Sequence, residues 1–512
     1  MISPQSTIKL LNLPIDSSNK NQLYFSDIDS QLNYMNNNII KEVANYTYVR
    51  KDNIIKIKGK IDELWNCNYV MYKNTGFNNK WFFAFITDKQ YTNENVLAIT
   101  LKTDVWQTWF SEIELKDSFI EREHVIDDTV GSNLVAESLE LGDYINNGIV
   151  EDMTEINELC IVIITTFDLL DKSTPFREQY GRPIAGSFSG LSYYKCNFDN
   201  WIYLQGELSD VDNAGKSEGI IAIFMAPTNL FTVIPPYDIN NPIALINGTT
   251  NITKQIDKNL VLLDGYEPKN KKMFTYPYNL LSITNYSGSN AVLKYEKFNS
   301  NPFTIVASAN MNINQNVKCY PLNYKNITTN YDEGLLLSNY PVCAWKSGVY
   351  QNWVTQNQNQ ITMGGISTLL STGVGIAAGV MSGNPLMIAG ASAGGLSQIF
   401  GTIGKISDTK VLPDQARGSS NSSVNVSVNK QTFGFNKLSI DSEHAKIIDD
   451  YFTMFGYKIN RVKNININSR NYWNYIKTIN CNIKGSAPQE DIIEIKNIFN
   501  KGCTFWKNGN NI

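Results

Sequence analysis

Residues Ile361 to Gly404, ITMGGISTLLSTGVGIAAGVMSGNPLMIAGASAGGLSQIFGTIG, constrain this chain more than any other stretch. No Asp, Glu, Lys or Arg lies between Lys346 and Lys405, in a protein that is 18% charged. The stretch divides in the middle. Ile366 to Met381 is apolar, Ser382-Gly383-Asn384-Pro385 carries turn residues, and Leu386 to Phe400 is apolar again. Gly reaches positive φ and Pro fixes its own, so the pattern predicts a hairpin of two apolar limbs. As a helix each limb of about 15 residues would reach roughly 22 Å. A hydrocarbon core about 30 Å thick needs about 20 residues, so neither limb is an ordinary transmembrane helix.

The glycines sharpen the point. Gly375, Gly379 and Gly383 recur at every fourth residue, as do Gly390 and Gly394. Small residues at that interval let helices approach closely in lipid, yet each Gly weakens a fixed helix by roughly 1 kcal/mol against Ala. The segment is therefore expected to adapt: folded away in protein in one state, in lipid in another. The plainer alternative is a buried helical hairpin in a large core. Against it, core helices usually carry a polar face, and none is found here.

A chain of 512 residues exceeds the usual limit of one core, so two to four domains are expected. The net charge of −4 argues against a protein that grips nucleic acid, which needs a basic patch. It leaves open one that nucleic acid slides past. The seven cysteines lie far apart, with no CxxC pair, so neither a disulfide framework nor a zinc site is expected. The opening MISPQSTIKLLNLPID has no basic region followed by an apolar run, so no secretory signal is expected. A lipid-seeking segment without an export signal implies delivery by lysis or inside a particle.

Along the chain, Thr7–Leu11 and Asn53–Ile57 read as strands, and Asp27–Lys41 as a helix capped by Ser26 or Asp27. Asn66–Tyr72, Trp81–Thr87 and Val96–Leu101 are rich in aromatic and β-branched residues, with a turn at Asn93-Glu94-Asn95. Thr103-Asp104 caps a short helix, VWQTWF, and Ile113 to His124 continues extended. From about 126 to 340 come many short strands, clearest at 161–167, 220–225, 231–234, 259–263, 280–283 and 291–295. Turns are expected at Pro235-Pro236, Asn247-Gly248 and Ser287-Gly288-Ser289, and a surface loop at Asp210–Glu218. After the apolar hairpin, SSNSSVNVSVN reads as a flexible joint re-entering a strand at Val424, Val426 and Val428. The C-terminal part predicts strand 433–440 and a helix to Phe455 stopped by Gly456. Strands 457–462 and 472–481 follow, then a helix with Pro488 at its first position, Gly502 closing it, and strand 503–506. That order suggests a split βαβ arrangement.

The stretch LKTDVWQTWFSEIELKDSFIEREHV, Leu101 to Val125, resembles the tail knob proteins of small short-tailed phages of Gram-positive bacteria, the phi29-like group. The matching pieces are Thr103–Thr108 and Phe119–His124. The opening IKLLNLPIDSSNKNQLYF and PKNKKMFTYPYNLLSITN, Pro268 to Asn285, are similar to the same family in order and spacing. The apolar hairpin falls where that family has its long hydrophobic loop. The resemblance spans most of the chain, and its specificity lies in the set of pieces.

Catalytic chemistry is sparse. Of two histidines, His444 is expected to be exposed in a first helical turn and His124 to be structural at a charged strand end. A Ser-His-Asp site would have to use one of them. Gly186–Gly190, GSFSG, is not a nucleophile elbow, because Ser occupies its second and fourth places. Gly373 and Gly375 begin a G-x-G pattern, but Ala378 stands where the third Gly belongs. The pairs Asp127-Asp128 and Asp449-Asp450 are read as solvated faces. No catalytic residue, metal or cofactor is expected.

The fold expected is mostly β with α+β parts, in a multi-domain subunit with an inserted apolar hairpin loop. Its parts are a β-rich N-terminal region (1–125), a β-rich middle region (126–345), the hydrophobic loop with its joint (346–430) and a C-terminal α+β region (431–512). The resemblance implies a tube-forming homohexamer at the distal end of a virion tail, seated on an upstream tail tube or collar protein. It also implies that the loops plug the lumen and then enter the host cytoplasmic membrane, so that double-stranded DNA passes without sequence-specific binding. The membrane-seeking side chains expected are Ile366, Leu369, Leu370, Val374, Ile376, Val380, Leu386, Met387, Ile388, Leu396, Ile399 and Phe400. The runner-up is a pore-forming toxin, against which the hairpin lacks β-barrel alternation. A tail-associated wall-binding or wall-degrading protein is the third reading.

Overall fold

The computed structural model describes residues 6–46, 53–148, 151–156, 158–169, 191–213, 220–234, 242–258, 260, 262–286, 288–309, 316–337, 342–343 and 432–507. Strands dominate, with a few short helices between them. Contacts divide the chain into two units. The first gathers Met1–Gly142, Tyr266–Met273 and Ser442–Ile512, and the second Asp143–Gly265 and Phe274–Asp441.

The first unit holds a six-stranded antiparallel sheet. Its order is Ile39–Tyr46, Ser6–Leu11, Tyr69–Asn74, Trp81–Asn93, Val96–Thr103 and Ile54–Lys58. Alternation sets which face is buried: in Ile54–Lys58, Ile55 and Ile57 lie inside while Ile54 is exposed. The helix expected over Asp27–Lys41 is shorter, Ile28–Asn37. Asp27 caps it, its Oδ1 accepting from Ser30 N at 2.7 Å. It stops because the β-branched pair Ile39-Ile40 is drawn into the sheet beside Ser6–Leu11, with Ile39 opposite Leu11. Leu11, Leu23, Met35, Tyr69, Met71, Phe83 and Phe85 form the core between helix and sheet.

A five-stranded sheet of the same unit runs Asn21–Tyr24, Cys503–Lys507, Trp473–Asn480, Ser118–Glu123, Tyr457–Lys463. Its first pair is parallel and the rest antiparallel. The C-terminal elements fall where the sequence places them, but the split βαβ topology is corrected. Ser118–Glu123 inserts between the two strands that would have neighboured each other, and Gly434–Ile440 belongs to a sheet of the second unit. Helix Ser442–Phe455 ends at Gly456, whose φ is +67°, and helix Gln489–Lys501 ends at Gly502, with φ +93°. A Cβ on Gly456 would lie 2.0 Å from the Glu123 carbonyl oxygen, so no other residue fits. Pro488 is the cap rather than the first helical residue.

The second unit contains one six-stranded and two five-stranded sheets. In the former, Leu159–Thr165 is central, between Ser192–Asn197 and Ile220–Pro227. Its sequence LCIVIIT is apolar without alternation because both faces are covered. Ile161 and Ile163 join one core cluster, and Cys160, Val162 and Ile164 another. Two expectations are corrected here. Asp210 begins no loop: helix Trp201–Asn213 extends through it, burying Leu204 and Leu208. Asn247-Gly248 is not a turn but part of strand Ile243–Thr249, with Gly248 opposite Thr232 next to a register shift. The expected strand at 259–263 is not a strand in its described residues. Pro235-Pro236, Ser287 and the joint at 424–428 lie outside the described residues.

Candidate functional site: the stems of the insert and the polar supports of the first unit

All the expected membrane-seeking side chains, Ile366 through Phe400, and the glycines Gly375, Gly379, Gly383, Gly390 and Gly394 lie outside the described residues. What the structure places is the two stems of that segment. The outgoing stem is Val342–Cys343, the outermost strand of the six-stranded sheet, paired with Phe224 and Ile223. The returning stem begins at Thr432 and Phe433, 1% and 0% exposed. It continues as Gly434–Ile440, which pairs with Asn279–Thr284 on one side and with Tyr144–Asn146 and Glu151–Asp152 on the other. Met153 N donates to Phe433 O at 3.1 Å, extending that pairing to the entry point. A Cβ at Gly434 would meet the Tyr286 hydroxyl at 2.2 Å, and that hydroxyl donates to Asp152 Oδ1. Both stems belong to the second unit.

Two of the pieces of sequence that carry the family resemblance, Thr103–Thr108 and Phe119–His124, lie in the first unit and include buried polar supports. Asp104 is fully buried and caps helix Val105–Trp109. Its Oδ1 accepts from Gln107 N at 3.1 Å and from Gln22 Nε2 at 3.4 Å, and its Oδ2 from Tyr69 OH at 2.9 Å. Burial pushes its pKa up to about 6, against the hydrogen bonds that pull it down. Trp106 meets Phe505 and Phe499 edge-on at 5.0 and 5.7 Å.

His124 is structural. It is 1% exposed, its Nδ1 accepts from Tyr475 N at 2.9 Å, and its Nε2 lies 3.1 Å from Thr453 O. Nδ1 faces a donor and Nε2 an acceptor, so the neutral Nε2-protonated tautomer fits. Burial, then the Arg470 charge, lower its pKa from 6.5 to about 3. A histidine depressed in the fold titrates first in the unfolded chain, so stability is lost as pH falls below about 6.5 toward 3. We expect the stability gap between wild type and His124→Gln to shrink by about 1.4 kcal/mol per pH unit between pH 6 and 4, read from urea midpoints. A gap independent of pH would refute the assignment. His444, expected to be exposed, is half-buried.

Asp127-Asp128 and Asp449-Asp450 are not simple solvated faces. Asp449 is 0% exposed and takes Tyr266 OH, Lys269 N and Asn270 Nδ2 at 2.8 Å and Asn270 N at 3.0 Å. Tyr457 OH donates to Asp128 at 2.6 Å. A third carboxylate, missed in the sequence, is Glu137. Its side chain is 1% exposed and takes Arg122, Lys272 Nζ at 2.6 Å and Lys458 N at 2.9 Å. Its cations Arg122 and Lys272 stand 15 and 135 positions away, beyond any helix or strand period, so no local pattern marks it. None of these carboxylates is set up as an acid–base pair. Among the described residues no group of three or more His, Cys, Asp or Glu side chains can hold a metal, and no helix is long and apolar enough to cross a membrane.

Two small clefts of the first unit meet at Ser469. One, of about 220 Å³, is lined by Glu123, Asp127, Ser132, Asn133, Arg461 and Lys463 among others. The other, of about 370 Å³, is lined by Ser469, Arg470, Asn471, Tyr472 and Trp473.

Comparison with known proteins gives a consistent picture. The C-terminal domain of the tail knob protein gp9 of Bacillus phage phi29 matches as a family over residues 244–512, and the N-terminus of the caudoviral major tail protein over residues 4–114. The tail knob protein gp9 of Bacillus phage PZA is 23% identical, covering 97% of this chain and 95% of its own. That of Bacillus phage phi29 is 23% identical, covering 98% and 96%. Among solved structures, the tail knob protein gp12 of bacteriophage C1 superposes with a TM-score of 0.61 at 14% identity, over 98% of this chain and 97% of that one.

Proposed function

From the premise that this chain belongs to the phi29 tail knob gp9 family, we propose that it stores an apolar hairpin in the lumen of a tail tube and delivers it to the host cytoplasmic membrane. The chain is a structural tail knob protein, a virion component at the distal end of the tail. The finer steps are our reading. Six copies close into a ring through a heterologous interface, seated on an upstream tube or collar protein. The hairpins, Ile366 to Phe400, meet on the ring axis, where mutual burial removes an apolar patch that would otherwise aggregate the particle.

The observation that carries this reading is the absence of charge from Lys346 to Lys405 in a segment stemmed at both ends on strands of the second unit. A hairpin so attached goes out and returns, and each limb alone is too short to cross a bilayer. A cluster of hairpins lets backbone groups pair among themselves in lipid, which one hairpin does poorly. Gly375, Gly379, Gly383, Gly390 and Gly394 permit the close approach that such a cluster needs. The emptied lumen of a protein with net charge −4 does not hold phosphates as a basic one would, so DNA slides through.

Deleting Ile361–Gly404 and joining the ends tests the reading. We expect soluble six-fold rings with an open centre in negative stain, and no dye release from liposomes. Insoluble chain would mean that the segment is core, and the proposal falls.

A further inference from the structure

The two stems of the apolar insert are held very unequally. The outgoing stem, Val342–Cys343, meets its sheet through two residue pairs, Cys343 opposite Ile223 and Val342 opposite Phe224. It stands last in the strand order, so among the described residues no strand pairs with its other edge. The returning stem, Gly434–Ile440, is an inner strand. Residues Gly434 to Ser439 stand opposite Asn279–Thr284 on one side. On the other side Leu438, Ser439 and Ile440 pair with Tyr144–Asn146, and Gly434 and Phe435 with Glu151–Asp152. Its side chains are rooted as well. Phe433 and Phe435 are fully buried in one core with Leu281 and Ile283. The Tyr286 hydroxyl fills the room that Gly434 leaves beside the strand, and donates to Asp152.

An inner strand leaves its sheet only by breaking both ladders and baring its core side chains at once. A two-residue strand at an edge opens locally, and water takes up the backbone groups it frees. The sheet it leaves stays whole, because Ile223 and Phe224 keep their pairing with Ile163 and Val162 on the opposite side. Building on the delivery of the hairpin to the membrane proposed above, we propose that the stems have different tasks. Val342–Cys343 is a detachable strap that comes off its sheet when the hairpin leaves storage. Gly434–Ile440 is the fixed anchor about which the hairpin swings. The slack that lets the hairpin travel comes from the outgoing arm alone.

The test is hydrogen exchange of the full-length protein, free and on liposomes of phosphatidylglycerol and phosphatidylethanolamine, with dye release read from the same samples. On lipid, the amide of Ile220–Pro227 that faces the strap should exchange about tenfold faster, while Asn279–Thr284 and Gly434–Ile440 exchange as before. A pair of staples separates cause from consequence. Phe224→Cys with Val342→Cys, across the strap, should release about a tenth of the dye when oxidised and recover on reduction; Ser282→Cys with Asn436→Cys, across the anchor, should stay within about twofold of its reduced form. The idea is overturned if dye is released with Ile220–Pro227 still protected, if Gly434–Ile440 loses protection, or if the two staples act alike. Those results leave hairpin insertion standing, whereas wild type that releases no dye sinks insertion and strap together. Should Phe224→Cys with Val342→Cys fail to fold, the exchange experiment decides alone, since it needs no substitution.

Discussion

Replacing Glu137 with Gln is expected to destabilise the first unit by about 3–5 kcal/mol, the cost of removing one partner from a buried ion cluster. The carboxylate stands between two buried cations: the Arg122 side chain is 9% exposed and that of Lys272 4%. Arg122 also donates to Gly456 O at 2.6 Å and lies 4.7 Å over the Tyr451 ring, while Lys272 donates to Val135 O at 2.9 Å. Neither cation can swing to water without breaking those contacts. Burial already lowers the Lys272 pKa, and the Glu137 charge opposes that. The double variant Glu137→Gln with Lys272→Met should recover part of the loss, because replacing a whole buried pair costs less than breaking it. Denaturant midpoints measure both. Hydrogen exchange should locate the opening in 126–142, which has no regular strand or helix and is pinned to the rest of the unit through Glu137. A change within ±0.5 kcal/mol for Glu137→Gln would refute the buried cluster.

The second large effect concerns the apolar insert. With Ile376→Asp and Ile388→Asp together, particles should adsorb to cells and liposomes but release less than a tenth of the dye that wild type does. Each Asp costs about 2.5–3.5 kcal/mol at the centre of a membrane segment, and each copy in the proposed ring would carry two. The substitutions sit in different limbs, so no single limb can be withdrawn to spare both. Assembly must be checked alongside, since a charge in the hairpin would also burden the plug that we propose. Intact rings with unchanged leakage would sink the insertion mechanism.

How much was legible in advance follows from the range of each determinant. Asp27 and Asp104 as caps and Gly456 and Gly502 as stops are local, set by residues within one or two turns, and the structure has them. The strand expected at 161–167 is present two residues earlier, at Leu159–Thr165, and its cover on both faces is a finding of the structure. What local pattern could not supply was pairing across distance. Nothing in SFIERE says that it meets Tyr457–Lys463 and Trp473–Asn480, and without that the C-terminal topology was misjudged. Gly248 looked like a turn because glycine serves bulges and turns alike. The buried carboxylate Asp449 looked like a surface charge because its partners, Tyr266, Lys269 and Asn270, lie elsewhere in the chain, and Glu137 drew no notice at all. The apolar insert was conspicuous for the opposite reason: its character is written entirely in its own composition.

Strand Ser118–Glu123 has both its neighbours more than 300 positions downstream. During synthesis, then, a ribosome releases this strand long before either companion exists. Its two bare edges must be sheltered through the whole translation of the second unit. A message cut short ahead of Tyr457 yields a product whose first portion can never be finished, however well its middle folds.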